Sequence, residues 1–507
     1  MEQYLKTALI GYTGFVGSTL NLNCNFTHKY NSKNIHEIQN ESFDLIVCAG
    51  IAATKWWANL HEQEDLNNIM SLLNNLKSVK TKKFILISTI DVYNDISDGD
   101  EDTILSINNC PYGKNRYYAE TFIKETFIDY NIIRLPGLFG YGLKKNIIYD
   151  YLQNTLKELN VNSSFQWYNI TNLFTDINTI INNNYKITNL FTEPIYNEDL
   201  HNIFSKYKSN TAYIPTNKNQ INYNVKTKYS NNSYWDTKDN ILSQIDEYIQ
   251  NMTCNTLTIS SLSWKHNNDK EMLDKLKIFG INKLEVSPYK YFGKNIEKAN
   301  FKDLDKRFEI YSFQSLLYPH TFNIFSDREK ALKHLELVII IAANLGVKVL
   351  VFGSPKNRKK GKLSYDIALR MATIFFGNVS RIAKYYNVIV VIEPNAKCYG
   401  CDFITNSVEG RELVLRVNSP FFKLHLDFGC MFLENENIYE CIKNNLDILE
   451  HIHISAPNLN SLSIHKNEIN YRELFREIKK IYNKTFSIEM LGQEDFDIFR
   501  DILFLIS

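Results

Sequence analysis

Four short apolar runs in the second half of the chain, VIVVIEPN, FKLHLDFG, EHIHISAP and FSIEML, each run out on one ligand-type side chain: Glu393, Asp427, His453 and Glu489. Successive ones lie about one strand–helix unit apart, roughly 30 residues when eight units fill ~250 residues. Each run buries β-branched or aromatic residues and reads as a strand, and the side chain at its carboxyl end sits where eightfold barrels place their chemistry. Three carboxylates and one imidazole suit Mn²⁺, Co²⁺, Mg²⁺ or Zn²⁺, with room for substrate oxygens. His451 alternates with His453 and can face the same side of its strand, but His453, nearer the carboxyl end, is the expected ligand.

The same period extends upstream. LTISSLSW, NKLEVSPY, FEIYSFQSLLY and VKVLVFGSP read as strands, separated by helical segments such as REKALKHLELVIIIAANLG, which stops at a glycine as a C-cap should. Eight strands with about seven intervening helices predict a closed parallel (β/α)₈ barrel. The first half opens differently. YLKTALIGYTGFVGSTL is an apolar strand flowing through Gly11, Gly14 and Gly17 into a helix, the phosphate-cradling turn of a doubly wound, Rossmann-type parallel sheet. FDLIVCAG and KKFILIST follow as strands, with helices at NNIMSLLNNL, YGKNRYYAETFIKET and NILSQIDEYIQN. The chain is therefore predicted to be α/β throughout, with a dinucleotide-binding domain over 1–251 and a barrel over 252–507.

Composition narrows the partners. Lys plus Arg number 57 against 56 Asp plus Glu, a net charge of +1, which gives no reason to expect nucleic acid or an anionic membrane. No apolar run approaches the ~20 residues of a membrane span, and Met1 to Lys6 leads straight into a strand, so a cytoplasmic location is expected. The eight cysteines form no framework of spacings and are expected to be reduced; Cys398 and Cys401 make a CxxC without the second pair a zinc site needs.

The order Glu, Asp, His, Glu on strands five to eight, with the wording IEPN, LDFG and HIHIS, resembles the xylose isomerase-like superfamily of sugar isomerases and epimerases over about residues 255–507. The resemblance implies that Glu393, Asp427, His453 and Glu489 hold the metal. It also implies that Glu393 and Glu489 move the proton next to a carbonyl, as acid and base. Many ketose epimerases of this group carry a histidine three residues after the aspartate; this chain has Cys430 there. Glu285, Gln314, His320, Asn395, Lys397 and His465 are further polar groups expected around the barrel mouth.

Residues 5–250 resemble the extended short-chain dehydrogenase/reductases, the nucleotide-sugar epimerase and dehydratase group. GYTGFVG matches the glycine turn, so Gly11, Gly14, Phe15, Val16 and Gly17 would cradle NAD or NADP. ISTIDVY places Thr89, beside Ser88, on the substrate hydroxyl, and YGKNR places Tyr112 as the acid–base tyrosine, with RLPGLFG as the loop after the next strand. A tyrosine needs a nearby cation to act near neutrality. The family uses a lysine four residues on; here Arg116 occupies that position and Lys114 comes at two. The second strand ends in HKYNSKN, with Lys29, Ser32 and Lys33 and no carboxylate, which tilts toward NADP. Asn68 resembles the family's active-site asparagine.

The expected protein is a bifunctional carbohydrate-modifying enzyme. A metal-dependent epimerase or isomerase of a keto sugar is joined to an NAD(P)-dependent sugar or nucleotide-sugar oxidoreductase, with a small-molecule substrate and with homo-oligomerisation left open. The alternative makes the barrel the only catalyst and the dinucleotide domain a regulatory module.

Overall fold

The structure, a computed structural model, describes residues 1, 4–207, 214–216, 219–253, 256–265, 269–292 and 308–506. The chain divides into two compact units, Met1–Thr253 and Cys254–Ser507.

The first unit is built on six parallel strands: β1 (Thr7–Ile10), β2 (His28–Tyr30), β3 (Ser42–Cys48), β4 (Lys80–Thr89), β5 (Tyr130–Leu135) and β6 (Ile187–Asn189). They lie in the order β2-β1-β3-β4-β5-β6. Strand alternation sends side chains to two faces, and both are apolar. Ala8, Ile10, Ile46, Phe84, Leu86 and Ile132 pack with Ile69 and Leu73 of α3 (Glu62–Leu76) and Ile123 of α4 (Pro111–Thr126). Leu9, Leu45, Val47, Ile85 and Ile133 pack on the other face with Leu20 of α1 (Phe15–Asn23) and with Ile177 and Ile180. Each buried Val, Leu, Ile or Phe side chain among them contributes about 1.5–3 kcal/mol. The short helix α2 (Lys55–Leu60) follows β3. Because β1 has β2 on one side and β3 on the other, the chain reverses direction across the sheet there. In doubly wound sheets such a switch point, here at the carboxyl ends of β1 and β3, is where ligands bind.

The second unit is a closed barrel of eight parallel strands in sequence order: β7 (Leu257–Ser260), β8 (Lys283–Val286), β9 (Glu309–Phe313), β10 (Val349–Phe352), β11 (Ile389–Ile392), β12 (Phe422–Asp427), β13 (Leu449–Ser455) and β14 (Phe486–Glu489), which pairs back to β7. The helix Tyr365–Tyr386 shows how the outer layer forms. Ala368, Leu369, Ala372, Phe375, Phe376, Val379 and Ala383 make one buried stripe at helical spacing. Phe376 stacks on Phe422 with ring centroids 4.8 Å apart. Ser364 caps the start by accepting from the Ile367 amide, and Asn387 ends it in the left-handed region. The helix Arg328–Asn344 stops just before Gly346, whose φ is +75°. Among the described residues, no helix is long and apolar enough to cross a membrane.

Candidate functional site

The four barrel residues converge. Glu393 directly follows β11, Asp427 and Glu489 end β12 and β14, and His453 lies two residues from the end of β13. One donor atom from each falls within 4.8 Å of all the others. His453 Nδ1 lies 3.0 Å from Glu489 Oε2 and 3.9 Å from Glu393 Oε1. Several neighbours make this crowding of carboxylates tenable. Asp427 accepts from Ser455 Oγ and from the Cys430 amide, each at 2.6 Å. Gly353 leaves space for Glu393, since a Cβ there would sit 2.3 Å from Glu393 Oε2. Arg358, fully buried, donates to the Glu393 carbonyl at 2.8 Å and to Asn395 Oδ1 at 2.9 Å.

The electrostatics record the mutual repulsion. Burial, reinforced by the Glu489 and Asp427 charges, raises Glu393 to about 8. Burial and Glu489 raise Asp427 as well. Burial alone would depress His453, but Glu285 and Glu489 hold it well above the ordinary histidine value. Neither ring nitrogen of His453 makes an aligned hydrogen bond, despite its burial. Three crowded carboxylates and an imidazole are a donor set that a divalent cation would satisfy, taking the place of the proton that the carboxylates otherwise hold on the ring.

The other mouth residues separate. Glu285, expected after the second strand, instead lies within β8, fully buried inside the barrel, because strand alternation turns it inward. His453 Nε2 approaches it at 2.7 Å and His451 Nε2 at 3.1 Å. His451 thus faces the same interior as His453 but is not among the four clustered donors. Gln314 is buried with neither amide atom hydrogen-bonded. Cys430 is buried 3.9 Å from Asn395 Nδ2. His320 stacks on Phe322, Lys397 pairs with Glu434 and His465 with Glu468, all away from the four donors' contacts. Cys398 is exposed and Cys401 is buried against Arg358.

In the first unit the glycine turn is tightly built. Gly11 has φ +85°, and a Cβ on Gly17 would come within 2.1 Å of the Gly11 carbonyl oxygen, so only glycine lets α1 approach the strand end. Gly14 precedes α1, which Phe15 and Val16 begin. Asn31, after β2, donates to the Tyr12 hydroxyl at 3.2 Å, while Ser32 and Lys33 are exposed.

Thr89 ends β4, and its side chain hydrogen-bonds the buried Tyr112. Ser88 instead donates to Glu120 at 2.6 Å, within a buried pair that Glu120 forms with Arg134. Arg116, expected in the catalytic and cofactor-binding place of the family's lysine, follows Tyr112 by one turn of α4. It is buried, grips both oxygens of Asp65, donates to the Ala52 carbonyl and lays its guanidinium 3.8 Å from the Tyr112 ring centre. Its charge is compensated by a carboxylate and lies over the ring face. Burial accordingly keeps Tyr112 above its ordinary value despite the opposing Arg116 and Thr89. Lys114 pairs with Glu62.

Sequence reasoning missed four residues here. Asp65, rather than the exposed Asn68 three residues on, is the buried polar residue of α3; positions three apart are neighbours on a helix, so spacing alone could not separate them. Lys55 Nζ lies 2.7 Å from Asp91 Oδ1 and 3.1 Å from the Tyr223 hydroxyl, which donates to Asp91 at 2.9 Å. Nothing local flags that trio, whose members come from distant segments.

Residues 273–505 match the family described as xylose isomerase-like TIM barrel, and the second unit is a barrel of that kind. No curated protein matches the sequence. Among solved structures, the chain is similar to 3-keto-D-glucoside 4-epimerase from E. coli in its apo form, at 16% identity over 50% of this chain and 98% of that one, with a TM-score of 0.40. It is similar to D-psicose 3-epimerase from Clostridium cellulolyticum with D-tagatose, at 15% identity over 49% and 91%, TM-score 0.38. It is also similar to a dTDP-4-dehydrorhamnose reductase from Clostridium acetobutylicum, at 13% identity over 47% and 92%, TM-score 0.35.

Proposed function

We propose that the barrel is a metal-dependent epimerase or isomerase of a keto sugar, joined to an NAD(P)-dependent sugar or nucleotide-sugar oxidoreductase. The observation that carries this reading is the convergence of Glu393, Asp427, His453 and Glu489 at the carboxyl ends of four consecutive strands. A divalent cation held by these four would polarise the substrate carbonyl and acidify the adjacent C–H. Glu393 and Glu489 arrive from β11 and β14 and serve as the proton-moving pair. One removes the proton from the carbon beside the carbonyl, and the other returns one to the opposite face of the enediolate. In the first unit, Gly11, Gly14, Phe15, Val16 and Gly17 would hold the pyrophosphate, with Thr89 and Tyr112 at the reacting hydroxyl. The segment after β2 has no carboxylate for a ribose hydroxyl, which favours NADP. The ketone made by oxidising an alcohol is the group the barrel chemistry needs.

The test is incubation in D₂O with Mn²⁺ or Co²⁺ and a panel of keto sugars, with deuterium read by mass spectrometry. Incorporation at the carbon next to the carbonyl is expected; no exchange with any sugar, despite bound metal, sinks proton transfer.

The locked Arg116 favours a second reading for the first unit alone. With that cation bound by Asp65, its pull on Tyr112 is outweighed by burial, and the unit acts as a nucleotide-binding regulatory module. Nicotinamide absorbance with the same sugars separates the two: turnover abolished by Tyr112→Phe supports the oxidoreductase, and no turnover by the unaltered protein supports the module.

A further inference from the structure

Beneath the four donors, the barrel interior carries a polar network that neither the metal set nor the proton-moving pair uses. Its centre is Glu285 of β8, whose side chain is fully buried. Ser312 Oγ of β9 donates to Glu285 Oε2 at 2.8 Å, and Ser487 Oγ of β14 donates to Oε1 at 3.3 Å. His451 Nε2 of β13 meets Oε2 at 3.1 Å, while its Nδ1 is held by the Thr485 carbonyl at 3.0 Å. The remaining contact is to His453, whose Nε2 lies 2.7 Å from Oε1. His425 stands edge-on to the His453 ring at 4.1 Å between centroids, so the imidazole is confined on its flank as well.

This arrangement sorts the two nitrogens of His453. Nε2 faces Glu285, inside the barrel. Nδ1 faces Glu489 and Glu393, at the mouth. A carboxylate at ion-pair distance favours the N–H on the ring nitrogen that faces it, which leaves the other nitrogen as the lone-pair donor and makes that donor more basic. Two serine hydroxyls and His451 fix the carboxylate from three strands, so Glu285 cannot follow the ring if it turns.

We propose that Glu285 is the positioning residue of the barrel site: it fixes His453 with Nε2 protonated and Nδ1 presented to the cation. The proposal rests on the metal-dependent reading above and adds to it a residue that touches neither metal nor substrate. Ser312 and Ser487 act one step further out, by holding the Glu285 carboxylate.

The test uses the full chain with Co²⁺, titrated calorimetrically and followed by the visible absorption of the bound ion. Glu285→Gln keeps the side-chain volume and removes the acceptor charge. It is expected to weaken Co²⁺ binding by about 10- to 100-fold and to alter the visible spectrum. Ser312→Ala leaves the carboxylate but removes one of its donors, and is expected to weaken binding by about 5-fold, the equivalent of one hydrogen bond. It supplies the measurement if Glu285→Gln does not fold. A purely structural Glu285 would lower the melting temperature while affinity and spectrum stayed those of the unaltered protein; that result overturns the proposal, as does unchanged Co²⁺ affinity in Ser312→Ala where that variant supplies the measurement. Failure of the unaltered protein to bind Co²⁺ overturns the metal-dependent reading itself, and the proposal with it.

Discussion

At the scale of single residues, the chemistry depends on charges placed against one another. Glu393 and Glu489 are each asked to hold a cation and move a proton, so replacing either by Gln should lower deuterium exchange at least ~10²-fold, the usual contribution of a positioned acid or base. Retained exchange in both variants, measured by mass spectrometry, would remove the pair from the mechanism. Lys290, in the short helix after β8, gives a pH signature of a different kind. Burial lowers it from 10.5 to about 8, and its ammonium donates to the Ser261 and Trp264 carbonyls. Because the folded value lies below the unfolded one, the fold disfavours the charged form: stability is lowest below pH 8 and rises up to about pH 10.5. Amine labelling of Lys290, read by peptide mass spectrometry, should have its midpoint near pH 8, and a midpoint near 10.5 would contradict this. The convergence of Glu393, Asp427, His453 and Glu489 was readable from residue types at strand ends. Arg358 and Ser455 were not, since an arginine or serine in a loop or strand carries no sign of which carbonyl or carboxylate it will meet.

At the scale of elements, the glycine turn between β1 and α1 is the most demanding piece. Gly17→Ala would drive a methyl into the Gly11 carbonyl and push α1 away from the strand end. Overpacking of this kind costs about 1–3 kcal/mol. Titration of the variant with NADPH, followed by fluorescence, should show binding lost or weakened at least tenfold. Unchanged affinity would mean that the turn does not carry the nucleotide. The turn was legible because glycine spacing reports a backbone requirement directly. The fate of the YGKNR segment was less so. Its spacing puts Arg116 one helical turn after Tyr112, correctly placing the two side chains on one face of α4. It could not say that Asp65, on a neighbouring helix, would take the guanidinium.

At the scale of the whole molecule, each unit has a core of its own: a sheet buried on both faces, and a barrel closed by the pairing of β14 with β7. Residues 254–507 expressed alone are therefore expected to fold and to bind Mn²⁺ or Co²⁺. Saturating metal at ~100 times its dissociation constant should add about 2.7 kcal/mol to that unit's stability, which EDTA should remove. A fragment whose melting temperature is indifferent to both would argue against a metal site. Strand and helix periodicity, the glycine turn and the ligand types at strand ends are local properties, governed by backbone sterics and burial, and the sequence by itself determined them. Glu285 shows where that reach ends. It was read as a polar group after the second strand, at the mouth, but it lies within β8 and barrel closure turned it inward against two histidines 166 and 168 positions away. Which nitrogen of His453 faces the mouth carboxylates, and which carboxylate neutralises Arg116, depend on distances across the fold, and only the tertiary structure decided them.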